Sequence, residues 1–183
     1  MMKIILVVIG LLFLASCAGT KKPDDISPVK SFDSQRYLGT WYEVARLENR
    51  FERGLSHVTA QYSLRDDGGI KVINKGYSKK DGEWNEVEGK AYFVEDEHTG
   101  FLKVSFWGPF YSAYVVFELD KDYQYSLVTG EDKSYLWILS RQRDIKPELL
   151  NELIAKAQAL GFDTTKLIKT DHSVMSDQQL TQQ

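Results

Sequence analysis

Few side chains in this 183-residue sequence are spaced for covalent or metal chemistry. Cys17 is the one cysteine, so the chain can form no intrachain disulfide and no thiolate metal cluster. His57, His98 and His172 are far apart in sequence, which predicts neither a zinc triad nor a haem ligand. There is no nucleophile-elbow motif and no phosphate-binding glycine-rich loop. The sequence thus favours a binding protein over an enzyme, with no metal and no cofactor.

Composition narrows the class of partner. Lys and Arg number 23 and Asp and Glu number 26, for a formal net charge of -3. A nucleic-acid-binding protein would normally show a basic excess, so we expect no nucleic-acid partner. Hydrophobic residues make up 43% of the chain, enough for the core of one domain or at most two.

The N-terminal apolar run is a targeting signal rather than a membrane span. Lys3 precedes an apolar or small stretch, Ile4 to Ala15, which is shorter than the roughly 20 residues that a spanning helix needs. The segment Leu14-Ala15-Ser16-Cys17 that ends the run resembles the lipobox of bacterial lipoproteins. The resemblance implies that residues 1–16 are a signal peptide removed during processing.

The same resemblance gives Cys17 its chemistry. In such lipoproteins the thiol receives a diacylglycerol, and the amine freed by cleavage is acylated. Three acyl chains hold a protein stably, because each buried methylene contributes about 0.8 kcal/mol. Lipoproteins kept in the inner membrane typically carry Asp at the next position, where this chain has Ala18. The resemblance therefore implies lipid anchoring in the outer membrane of a Gram-negative bacterium.

Two polar segments flank the rest of the chain. Residues 18–32 carry prolines, adjacent aspartates and three lysines without hydrophobic periodicity. We therefore interpret residues 17–33 as a lipidated N-terminus with a solvated linker, spanning about 20 Å on average, that lets the folded part stand clear of the bilayer. Residues 171–183 are predicted to be a polar tail, which leaves a folded region over residues 34–170.

The pattern of this region predicts an all-β domain. Short runs rich in Val, Ile, Tyr, Phe and Trp alternate with turn clusters such as Asp66-Asp67-Gly68-Gly69. Loops this short join only antiparallel neighbours, so eight up-and-down strands predict either a closed barrel or a sandwich. The predicted strands are Trp41–Leu47, Leu55–Leu64, Ile70–Tyr77, Trp84–Val94, Phe101–Phe106, Ala113–Leu119, Tyr123–Thr129 and Tyr135–Arg141.

One helix follows the strands. Pro147 to Leu160 carries an apolar stripe, with Pro147 in the first turn and Gly161 as the stop. The last predicted strand is apolar on both faces, as expected if this helix packs outside a barrel. Residues 165–169 are predicted to add a short final strand.

The segment Gly39-Thr40-Trp41-Tyr42-Glu43-Val44-Ala45-Arg46 resembles the first motif of the lipocalins. Asn74 to Tyr77, Gly108 to Tyr111 and Tyr135 to Arg141 are similar to segments of the bacterial lipocalins. The resemblance implies an eight-stranded antiparallel up-and-down barrel with a C-terminal helix outside it. It also implies that Gly39, Trp41 and Arg141 form the closed floor, with the Arg over the Trp. Alternation of the loops independently puts Trp41 and Arg141 at one end of such a barrel.

Candidate ligand contacts lie toward the opposite, open end. Arginines at the first loop could hold an anionic headgroup, although solvated ion pairs with Glu48 and Glu52 are the alternative. Aromatic residues of the fifth-to-sixth loop would surround the mouth. The residues predicted to contact ligand, at the mouth or on the inner wall, are Arg46, Arg50, Arg53, Trp107, Tyr111, Tyr114, Val116, Tyr135 and Trp137. For the four wall residues, ordinary core packing is an equal alternative.

The lipocalin resemblance implies a fatty acid or a lysophospholipid as ligand, bound for storage or transport in envelope maintenance. Glu43 shares strand parity with Trp41 and would face inward, where a structural ion pair with Arg141 or a lysine is favoured over catalysis. A lipid-modifying enzyme and an envelope interaction scaffold remain the alternative functions. The oligomeric state, including a homodimer, is open.

Overall fold

The computed structural model describes residues 20–173. The predicted signal peptide, Cys17 and residues 174–183 lie outside this range. Within it, none of the helices is both long enough and apolar enough to cross a bilayer.

The described residues form a closed antiparallel barrel. Each strand pairs with its neighbour in sequence from β1 to β8, and β1 pairs with both β2 and β8. This confirms the predicted eight-stranded up-and-down barrel and rejects the sandwich. The strands are β1 (Gly39–Leu47), β2 (Leu55–Leu64), β3 (Ile70–Ser78), β4 (Glu83–Phe93), β5 (Phe101–Ser105), β6 (Ser112–Leu119), β7 (Tyr125–Thr129) and β8 (Leu136–Ser140).

A helix covers one side of the barrel, as predicted. Helix α2 (Pro147–Ala159) buries Leu150 and Leu153 against outward-facing Ile138 of β8. Strand β6 is also buried on both faces: Val115 packs under the helix, and Val116 points into the barrel interior. Burial on both faces explains why β6 and β8 carry nearly continuous apolar runs.

The N-terminal segment differs from the prediction. Ile26 and Phe32 are each only 1% exposed, and Val29 exchanges backbone hydrogen bonds with Gly100 and Val116 on the barrel wall. We call residues 20–33 the N-terminal strap. The prediction of a solvated linker is wrong for this part, because pairing with exposed backbone of the barrel buries apolar side chains that show no periodicity. A short helix, α1 (Ser34–Tyr37), follows the strap and was not predicted.

The C-terminal segment completes the wall between β1 and β2. These strands pair only through Gly39–Tyr42 of β1, beyond which the short β9 (Leu167–Lys169) takes over pairing with β1. The chain then passes between the two strands: the Thr170 amide donates to the Val44 carbonyl at 3.0 Å, and the His57 amide to the Asp171 carbonyl at 2.8 Å. Residues 171–173 thus belong to the folded unit, although we predicted a tail from residue 171.

Candidate ligand-binding cavity

The barrel encloses a cavity of about 710 Å³. This volume lies within the range of sites that hold small organic ligands. Inward-facing residues of β2, β3, β5 and β8 make its walls largely apolar. They include Tyr62, Ile70, Val72, Leu102, Val104 and Leu139.

Three of the four predicted wall residues line this cavity. Tyr114, Tyr135 and Trp137 face it, and Tyr135 and Trp137 stack with ring centroids 5.8 Å apart. Val116 points into the barrel as well but is fully buried in the interior cluster and does not line the cavity. Three of the four thus lie on the cavity wall, and Val116 takes the alternative of ordinary core packing.

Aromatic side chains surround the mouth. Phe51 from the β1–β2 loop stacks on Trp107 from the β5–β6 loop, with ring centroids 6.5 Å apart. Phe110 and Arg50 also line the cavity here, and the Arg50 guanidinium lies 4.7 Å from the centroid of the Phe51 ring. Of the three predicted arginines, Arg50 alone lies among the lining residues.

Two predicted mouth residues are placed elsewhere. Arg53 is exposed and pairs with Glu48 at 3.0 Å, which is the alternative that the sequence left open. Tyr111 packs beside Tyr92 and under the Lys103 ammonium. Lys103 alternates with the inward residues Leu102 and Val104, so Tyr111 lies on the outer face of the wall. Neither Arg53 nor Tyr111 lines the cavity.

Arg46 is a buried structural cation rather than an open headgroup site. Its Nη1 donates to Glu43 Oε1 at 2.5 Å and its Nη2 to the Glu52 carbonyl at 2.6 Å. Thr170 Oγ1 also donates to Glu43 Oε1. The predicted inward ion pair of Glu43 is present, but its partner is Arg46 and not Arg141 or a lysine. A bulge between Glu43 and Ala45 shifts the strand parity, so Arg46 faces inward together with Glu43.

These charges lie in the upper wall of the cavity. Burial, reinforced by the nearby Glu52 carboxylate, raises the pKa of Glu43 to about 8 despite the opposing charge of Arg46. Glu52 Oε2 accepts hydrogen bonds from Trp137 Nε1 at 2.8 Å and from Asn49 Nδ2 at 2.6 Å. Glu43 and Glu52 both line the cavity, so its polar part is a defined network rather than loose surface charge.

The floor is a stack of aromatic rings under one arginine. Tyr37 and Trp41 have ring centroids 4.7 Å apart, and the Arg141 guanidinium lies 4.0 Å from the centroid of the Trp41 ring. Arg141 donates to the Thr40 and Arg36 carbonyls at 2.9 and 2.8 Å. Gly39 has a positive φ of 91°, and a Cβ atom added to it would lie 3.5 Å from Arg141 Nη1. Trp41 is fully buried and does not line the cavity, because the Tyr37 ring lies between Trp41 and the cavity.

A cluster of tyrosines occupies the deep end of the cavity. Tyr114 Oη forms 2.8 Å hydrogen bonds with both Tyr37 Oη and Tyr62 Oη. Burial raises the pKa of all three, that of Tyr37 to about 12. No sequence pattern predicts this cluster, because its members come from α1, β2 and β6 and meet only when the barrel closes.

Two of the three histidines also meet unexpectedly. His57 and His172 have ring centroids 5.9 Å apart at the join between β2 and the C-terminal segment. Burial lowers the pKa of His172. His172 Nε2 lies 2.8 Å from the Glu43 carbonyl, and His57 Nε2 lies 2.7 Å from the Ser173 carbonyl. Within residues 20–173 no group of three His, Cys, Asp or Glu side chains is arranged to hold a metal ion.

Known proteins share this architecture. Residues 32–172 match the model of the lipocalin-like domain. Among solved structures, insecticyanin from the tobacco hornworm superposes with a TM-score of 0.67 at 21% identity, covering 84% of this chain and 87% of that one. At this identity the likeness establishes the fold.

Several curated relatives have a higher sequence identity to this chain than insecticyanin has. The outer membrane lipoprotein Blc of Vibrio cholerae is 51% identical over 91% of this chain and 97% of its own. The Escherichia coli K12 protein of the same name is 52% identical over 85% of this chain and 88% of its own. Temperature-induced lipocalin-1 of Arabidopsis thaliana is 35% identical over 81% and 84%. The chain therefore belongs to the lipocalin family, in its branch of bacterial outer-membrane lipoproteins.

Proposed function

We propose that this protein binds one acyl-chain lipid, a fatty acid or a lysophospholipid, inside the barrel and stores or carries it at the outer membrane. The observation that carries the proposal is the cavity of about 710 Å³ with apolar walls and an aromatic mouth. Burial of a 16-carbon tail would contribute on the order of 12 kcal/mol before the costs of immobilisation. That margin is compatible with micromolar or tighter binding.

The polar groups suggest which way the ligand lies. At the deep end the hydroxyls of Tyr37, Tyr62 and Tyr114 bond to one another, so they need no polar partner from a ligand. Higher in the cavity, Asn74 Oδ1 and Ser105 Oγ are buried without a hydrogen-bond partner. Unpaired buried polar atoms are costly, and a ligand's polar groups could satisfy them. We infer that the acyl tail points to the floor and the headgroup to the mouth.

A pair of variants on one strand tests binding. Val104 faces the cavity, whereas Lys103 beside it faces outward. Val104→Trp should fill the cavity and abolish saturable uptake of a fluorescent fatty acid, and native mass spectrometry should no longer detect a co-purified lipid. Lys103→Trp adds the same ring outside and should bind as wild type. Equal binding by both variants, or no binding by the wild-type protein, would contradict the proposal.

The same preparations separate the alternative functions. A lipid recovered in chemically altered form, with turnover lost in Glu43→Gln while binding survives, would indicate an enzyme. A barrel without lipid that captures envelope proteins would indicate a scaffold.

We also propose Cys17 as the lipid anchor, with residues 1–16 as the signal peptide. The lipobox and the relatives named outer membrane lipoprotein support this. Cys17→Ala should release the protein from the membrane fraction into the periplasm. Continued membrane fractionation of this variant, or a mature protein without acyl mass, would refute the anchor.

A further inference from the structure

The mouth of the barrel carries exposed aromatic side chains. Phe51, Trp107 and Phe110 are 52%, 64% and 80% exposed, and they come from the two loops that meet at this end. The other large hydrophobic residues that are exposed within residues 20–173 are aliphatic: Leu64, Leu160 and Ile168. A cluster of exposed aromatics at one end marks a contact surface, and Trp and Phe favour the boundary between lipid headgroups and acyl chains.

The N-terminal strap runs toward the same end. At the C-terminal end of the strap, the Asp33 amide donates a 2.8 Å hydrogen bond to Tyr123 Oη at the closed floor. At the other end of the strap, Asp25 pairs at 2.5 Å with Lys133. Lys133 belongs to the β7–β8 loop, whose residues Gly130 and Glu131 line the cavity mouth. The strap thus rises along the outside of the barrel from floor to mouth.

The charge of Lys21, next to the first described residue, also acts on the β7–β8 loop at the mouth. Hydrogen bonds from Ser134 lower the pKa of Asp132, and the positive charge of Lys21 lowers it further. Asp132 lies in the same β7–β8 loop. The chain therefore reaches Lys21 while still beside the mouth.

Only a few residues separate Thr20, the first described residue, from the proposed anchor at Cys17. From Cys17 to Thr20 are three Cα steps, which span at most about 10 Å. An acylated Cys17 lies at the bilayer surface, so the strap brings the mouth within a similar distance of that surface. A barrel pointing its floor at the membrane would need a longer tether, because the strap is bonded along the wall.

We propose that the mouth of the barrel faces the phospholipid surface that holds Cys17, and that Phe51, Trp107 and Phe110 enter its headgroup region. This orientation rests on the proposed anchor at Cys17. The floor, with Trp41 and Arg141, points away from the membrane. A single-chain lipid could then pass between bilayer and cavity without crossing water.

One labelling experiment tests the orientation on the full mature lipoprotein. The thiol of the one cysteine is consumed by acylation, so a cysteine introduced on the barrel is the unique free thiol. Phe110→Cys places an environment-sensitive fluorophore at the mouth. Leu64→Cys places it near the closed end, where Leu64 is 54% exposed, and serves as the matched control. Both proteins are reconstituted into vesicles of phosphatidylethanolamine and phosphatidylglycerol.

We expect the label at position 110 to shift to shorter wavelength and to be quenched by brominated phospholipids, with neither change at position 64. Vesicle-bound protein whose label at 110 stays in water, or whose label at 64 is the one quenched, overturns the orientation while leaving the anchor intact. Protein that lacks acyl mass and does not stay with the vesicles overturns the anchor and the orientation together. Unchanged thermal melting of both labelled variants shows that the barrel is folded in each.

Discussion

Packing of the N-terminal strap can be measured through one side chain. Ile26 is 1% exposed and packs in a cluster with Leu47, Phe101, Val115 and Phe162. Ile26→Ala removes three carbons, each worth about 0.8 kcal/mol of burial, and leaves a cavity that adds to the cost. We expect the free energy of unfolding to fall by about 3 kcal/mol.

The assay is thermal unfolding followed by circular dichroism. In a domain of 150 to 250 residues, 1 kcal/mol corresponds to about 2 to 4 °C, so Ile26→Ala should lower the melting temperature by about 6 to 12 °C. Ile168→Ala makes the same chemical change at a position that is 37% exposed and should cost less than about 1 kcal/mol.

An Ile26→Ala protein that melts with the wild type would refute the reasoning. Residues 20–33 would then behave as the solvated linker that their composition suggests. The proposed approach of the mouth to the membrane would lose its basis as well, because a free linker would let the barrel turn in any direction.

Three further changes test the floor, the strap contact and the buried carboxylate. Trp41→Ala should cost about 3 to 5 kcal/mol in a denaturant titration, since the ring is fully buried under Arg141; a cost below about 1 kcal/mol would contradict its role in the floor. Gly100→Ala should cost about 1 to 3 kcal/mol, because its Cβ would stand 2.7 Å from Val29 Cγ2; unchanged stability would mean that the strap yields freely. The fold raises the pKa of Glu43 above its ordinary 4.5, so above that pH the folded state binds more protons than the unfolded state and stability should fall as pH rises. Glu43→Gln should flatten that decline in unfolding free energy, and an unchanged slope would argue that Glu43 is ionised throughout.

The strands were predictable because two local signals agree. Alternating or continuous apolar runs end at turn clusters, and all eight predicted strands begin within two residues of the observed ones. The largest offsets are at β1, which begins two residues earlier at Gly39, and at β7, which begins two residues later at Tyr125. The helix was predictable because its apolar stripe must be buried, and the apolar outer face of β8 is the surface on which it packs. Both signals depend on neighbouring residues, so a single sequence reveals them.

The strap was missed for the opposite reason. Ile26 and Phe32 stand alone among prolines and charges, and no period marks them as buried. Their burial depends on backbone groups of Gly100 and Val116 that are free to pair on the barrel wall. Such a partner is known only after the barrel is built, so composition alone suggested a linker.

The position of Arg46 shows how one extra residue changes the chemistry of a site. Strict alternation from Trp41 would turn Glu43 inward and Arg46 outward. The bulge between Glu43 and Ala45 shifts the parity, and both charges enter the wall. Thr170, 127 residues beyond Glu43, completes their network from the segment that fills the gap beside β1. Because Arg46 is committed to Glu43, the cation left at the mouth for an anionic headgroup among the three predicted arginines is Arg50. A test of headgroup recognition should therefore begin with Arg50 and use Arg53, whose side chain points away from the cavity, as its control.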